Sequence, residues 1–106
     1  MKMTRHCTGG TYALTTSATT TPEILIEGAA SGEVFVPTGS PITTLTFHAA
    51  MNTGGTYTPM YDASGVAVTQ TVAAARAYPL PAIAFGAATI RIVVNAAGSV
   101  GICLKS

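Results

Sequence analysis

Two histidines, two cysteines and four carboxylates are the whole supply of imidazole, thiol and carboxyl side chains that the 106-residue chain offers for acid–base, nucleophilic or metal chemistry. Nucleophilic catalysis needs a Ser, Cys or Thr beside a base and an orienting group. Neither His6 nor His48 sits in such a pattern, and His48 falls on the polar side of an alternating run. Glycoside hydrolysis needs a carboxylate pair across a bond. Glu23, Glu27 and Glu33 read instead as outward charges on strand ends, and Asp62 belongs to a turn. A zinc site would have to gather His6, Cys7, His48 and Cys103 without any close Cys or His spacing. The glycine-bearing pieces Thr53-Gly54-Gly55 and Ser99-Val100-Gly101 lack the Gly-Lys-Ser/Thr pattern of a phosphate loop. The expectation is a protein that is not an enzyme and carries no metal or cofactor. What remains is binding: Tyr57, Tyr61 and Tyr78 are the candidate rings of a carbohydrate platform, weakened by the absence of tryptophan.

The elements that must carry these residues alternate with period two, as half-buried strands do. Tyr12 and Leu14, Ile24 and Ile26, Val34 and Val36, Leu45 with Phe47 and Ala49, Val66 and Val68, Ile90 with Ile92 and Val94, and Val100 with Ile102 and Leu104 form the apolar sets. That gives seven strands, with Thr56 to Tyr61 an eighth. Turns separate them at residues 28–32, 37–41, 52–55, 62–65 and 95–98. Asp62-Ala63-Ser64-Gly65 suits a type I turn with Gly65 at positive φ, closing a bulged hairpin. The run Ala73–Ala77 reads as an extension of the strand through Val66–Val72. Pro81 and Gly86 bracket one helical turn, with Leu80, Ile83 and Phe85 capping an end of the core. The fold class expected is all-β: an antiparallel β-sandwich, jelly-roll-like, of seven or eight short strands with one short helical turn. Residues 1–106 form one domain, with residues 1–10 an extended N-terminal arm.

Composition narrows the class of partner. Charged residues make up 8% of the chain against about 25% in an ordinary soluble domain. Five basic residues offer no stripe for phosphate neutralisation, so nucleic acid is not an expected partner. No apolar run approaches the roughly 20 residues of a membrane span. The N-terminal MKMTRHCTGG has no apolar segment of a signal peptide, which points to a cytoplasmic origin. In a reducing compartment Cys7 and Cys103 are expected as free thiols; a disulfide requires the terminal strands to be neighbours. A surface with few charges of either sign favours association. Leu25, Phe35, Met60 and Val93, which oppose the inward apolar sets, are the candidate partner interface.

The ordered parts TFHAA, GGTYTPMYDASG, VAVTQTVAAARAY, a proline-bounded turn ending in FGA, and a final pair of strands occupy Thr46–Ala50, Gly54–Gly65, Val66–Tyr78, Pro79–Ala87 and Thr89–Leu104. In that order, over about the last 65 residues, the chain resembles small structural proteins of tailed bacteriophages. The resemblance implies a virion component, foremost a capsid cement or decoration protein: β-rich, often homotrimeric, and clamping major capsid subunits from the capsid exterior after synthesis in the host cytoplasm. It transfers no catalytic residues. The alternative is a head- or tail-fibre adhesion module holding a host-surface carbohydrate through Tyr57, Tyr61 and Tyr78.

Overall fold

In a computed structural model, which describes residues 11–14 and 19–105, nine short strands form two antiparallel sheets face to face. The strands are β1 (Thr11–Leu14), β2 (Ile24–Leu25), β3 (Ser31–Val36), β4 (Thr44–Ala50), β5 (Thr58–Pro59), β6 (Thr69–Thr71), β7 (Arg76–Pro79), β8 (Thr89–Val94) and β9 (Gly98–Lys105). The first sheet runs β1-β9-β3-β7. The second runs β2-β8-β4, with β5 and β6 sharing the far edge of β4. Successive strands therefore cross between the sheets except at the β4–β5 and β5–β6 connections, which stay within the second. The expected all-β sandwich is the fold observed.

The alternating sets fill the space between the sheets. Val34, Val36, Val100, Ile102 and Leu104 come from the first sheet, and Ile24, Leu45, Phe47, Ile90, Ile92 and Val94 from the second. Phe47 is the largest side chain with no exposed surface. The 3-10 turn Ala82–Gly86 follows Pro81 and closes one end. There Leu80 and Ala84 point inward, whereas Ile83, expected in the core, is 42% exposed. The turn has three residues per revolution, so residues 81 and 84 share a side and 83 does not.

Asp62–Gly65 forms the expected turn. The Gly65 amide donates to Asp62 O, the Asp62 carboxylate accepts from Ser64 N and Val66 N, and Gly65 adopts φ +81°. Two expectations fail nearby. Val66 is exposed, because the strand proper begins only at Thr69. Nor does Ala73–Ala77 extend that strand: the chain turns at Ala74 and Ala75 and leaves one sheet for the other as β7. Ala75 takes φ +60° there, with its amide donating to Pro37 O. That conformation costs an L-residue with a Cβ roughly 1–2 kcal/mol.

Cys103 on β9 is disulfide-bonded, against the expectation of free thiols. The neighbour condition is met, since β1 and β9 pair with Thr11 opposite Gly101. Cys7, the chain's other cysteine, and the proposed arm 1–10 lie outside the described residues.

The strain at residue 75 is testable. Ala75→Gly should raise the unfolding free energy by roughly 0.5–1 kcal/mol, the relief being offset in part by glycine's greater unfolded freedom. Ala75→Val should lower it. Urea midpoints at unchanged m-value measure both.

Candidate functional site

The second sheet carries the one polar network of the described residues in which several side chains converge. It lies beside a bulge. Between the bridge Thr20–Val93 and the pair Ile24–Ile90, three residues (Thr21, Pro22, Glu23) stand against two on β8 (Arg91, Ile92). Pro22 has no amide to give to a ladder. Thr21, 1% exposed, repairs the pairing: its amide donates to Ile92 O and its hydroxyl accepts from Ile92 N, both at 2.9 Å. The extra residue lets Thr21 and Ile24, three positions apart, both face the core, as bulges do, and Glu23, next to Ile24, lies on the outer face.

There a single Glu23 oxygen, Oε2, accepts two short hydrogen bonds from the β4–β5 loop, each 2.7 Å: one from Gly54 N and one from the Tyr57 hydroxyl. Gly54 reaches it through a turn in which Gly55 N donates to Asn52 O and Gly54 takes φ +77°. The Tyr57 oxygen lies 2.9 Å from Thr89 Oγ1, which in turn lies 3.1 Å from Ile24 O. Two hydroxyl protons serve these three contacts while Glu23 is ionised, so Thr89 has to share its proton between Tyr57 and the β2 carbonyl. Arg91 spans the ring of Tyr57, its guanidinium carbon 4.7 Å from the centroid, a cation–π distance. The Gly54 amide and then the Tyr57 hydroxyl hold the Glu23 carboxyl below its ordinary range; burial opposes them, and the Arg91 charge adds the least of these effects on their side. A carboxylate stabilised in this way is a poor proton acceptor at neutral pH. The network binds a loop to a sheet; it does not poise a base.

This loop is one wall of a cleft of about 740 Å³, opposite Gly86, Ala87 and Ala88. Its lining has no charged residue, and Met51 at its rim is 91% exposed. Among the described residues no three His, Cys, Asp or Glu side chains come close enough to share a metal ion.

The residues singled out from sequence are dispersed. Leu25 is 57% exposed on the second sheet and Phe35 46% exposed on the first. Val93 is half-buried on the outer side of β8, across from Thr46. Met60 packs against the core, its amide donating to Phe47 O, and so is not an outward residue. The tyrosines divide likewise. Tyr57 is committed to Glu23 and Arg91, Tyr78 packs on the core with its hydroxyl accepting from Ala73 N, and Tyr61 is exposed. His48 stands opposite Arg91 on the outer side of β4. Sequence reasoning missed the Glu23–Tyr57–Thr89–Arg91 group. Its one visible sign was Arg91, a charge inside the strand TIRIVV, where every neighbour is uncharged.

Comparison with protein-family models, with curated proteins and with solved structures finds no match to this chain.

Tyr57 and Tyr78 anchor separate parts of the molecule, so their contributions should add. Tyr57→Phe and Tyr78→Phe should each cost on the order of 1 kcal/mol, the usual net worth of a hydrogen bond. The double variant should cost the sum, read from denaturant unfolding.

Proposed function

We propose that this chain is a non-enzymatic virion structural protein: a cement on the capsid exterior that joins neighbouring major capsid subunits and acts as a homotrimer. The observation carrying the reading is the placement of exposed apolar residues on both outer faces, Leu25 on one sheet and Phe35 on the other. A clamp must touch more than one neighbour, and two sticky faces on opposite sides of a rigid sandwich serve that need. Phe35 sits across from Gly101 on β9 and Ala77 on β7, small residues that leave its ring proud of the sheet. The scarcity of charge supports the same reading, since covered surface does not need charge for solubility. The ordered resemblance of residues 46–104 to phage structural proteins is the reason for taking a major capsid protein as the partner. Each contact is modest, and joining several on one trimer multiplies them through effective concentration.

The second reading, an adhesion module for host-surface carbohydrate, rests on Tyr61, the exposed ring on the Asp62–Gly65 hairpin. Tyr57 and Tyr78 have their hydroxyls engaged within the protein.

Sedimentation should give a trimer, and addition to undecorated capsids should raise their thermal stability. Leu25→Asp and Phe35→Asp should each weaken capsid binding, and the pair should abolish it. A stable monomer that leaves capsids unbound contradicts the proposal. Specific sugar binding lost in Tyr61→Ala would favour the second reading.

A further inference from the structure

The β4–β5 loop is fastened to the sheet at few points. Its backbone turn closes on itself through Gly55 N and Asn52 O. Gly54 N and the Tyr57 hydroxyl both reach across to one oxygen of Glu23, the residue before β2 and more than thirty positions away. Those two bonds converge on a group that can take up a proton. We propose that Glu23 is a releasable latch for this loop: ionised, it clamps Gly54 and Tyr57 to the sheet, and on protonation it lets go, loosening the wall of the cleft that presents Met51.

The chemistry favours this over a fixed brace. A carboxylate accepts charge-assisted bonds that are shorter and stronger than those to a neutral acid. Proton uptake also ends the attraction between Glu23 and Arg91, which lies over the Tyr57 ring from β8. The groups facing Glu23 are accounted for: Gly54 and Tyr57 from the loop, Thr89 and Arg91 from β8. His48 on β4, opposite Arg91, is the remaining titratable group of β4 and β8 on this face. The sign follows from the depressed value of Glu23. The clamp is fully present above the ordinary glutamate range and is lost as pH falls through the lower, folded-state value. The inference does not rest on the capsid reading; a capsid-free protein would latch in the same way.

Nuclear magnetic resonance decides it. The Gly54 amide and the Glu23 carboxyl carbon are followed from neutral pH down through the carboxylate range (about 4). They should move together with one midpoint, below that of an ordinary glutamate. Tyr57→Phe should raise the midpoint towards the ordinary value. His48→Gln should leave it in place. In Glu23→Gln the Gly54 resonance should stay flat with pH, and amides of residues 52–57 should exchange several-fold faster while those of β4 and β8 do not. A Gly54 resonance that ignores pH in the native protein, a titration that persists in Glu23→Gln, or a midpoint that Tyr57→Phe does not move overturns the proposal. The last of these stands even if Glu23→Gln fails to fold.

Discussion

The structure depends on one apolar layer shared by two sheets. β8 and β9 are inner strands, each flanked on both sides, and each presents three large aliphatic residues to the layer: Ile90, Ile92 and Val94 from one, Val100, Ile102 and Leu104 from the other. Only Asn95, Ala96 and Ala97 separate them. Paired as a hairpin in a single sheet, both stripes would need the same cover on one side. In opposite sheets they cover each other, with Phe47 and Leu45 beside β8 and Val34 beside β9. Asn95 holds the crossing in place. Its Oδ1 accepts from the amides of Thr43 and Thr44 at 2.9 and 3.1 Å, and its Nδ2 donates to Thr43 Oγ1, tying the end of β8 to the start of β4.

With the core supplied by aliphatic residues, the outer faces are free to be nearly uncharged. On the second sheet Thr46 stands opposite Thr69 on one side and Val93 on the other, and Thr44 opposite Thr71. Uncharged hydroxyls place little electrostatic barrier in the way of a partner. Charge is confined to a few places: Glu33 and Lys105 stand exposed on the outer side of the first sheet, and Glu23 and Arg91 gather at one end of the second. The second sheet thus combines a threonine-rich outer face with a loop held at one end by Glu23.

Much of the fold was legible because period-two alternation reports burial directly. The strands around Val34, Phe47, Ile92 and Ile102 were found this way, as was the Asp62–Gly65 turn, whose residues dictate its geometry. Pairing was not legible, since register is settled by contacts far apart in sequence. The link 95–97 looks like a hairpin and is a crossing. Ala73–Ala77 looks like a strand extension because five consecutive small or helix-favouring residues carry no turn signal, yet the path between sheets forces Ala75 to positive φ. Ile83 was placed inside because apolar type alone was weighed, whereas the phase of a 3-10 turn selects Ala84. The candidate site was hardly visible. Glu23 reads as a strand-end charge and is one, but its partners Gly54 and Tyr57 lie more than thirty positions on, in a loop that no local pattern ties to it. The disulfide of Cys103 likewise follows from β9 lying beside β1, which no local pattern announces.

The central claim is that the last two strands lie in different sheets and interleave with β3 and β4. Cross-strand Hα–Hα nuclear Overhauser effects test it most directly, because antiparallel neighbours bring these protons close at non-hydrogen-bonded pairs. The account predicts such effects across the β3–β9 and β4–β8 pairs, within the registers that set Val34 opposite Ile102 and Phe47 opposite Ile92, and none between β8 and β9. Effects linking β8 to β9 as a hairpin would contradict it.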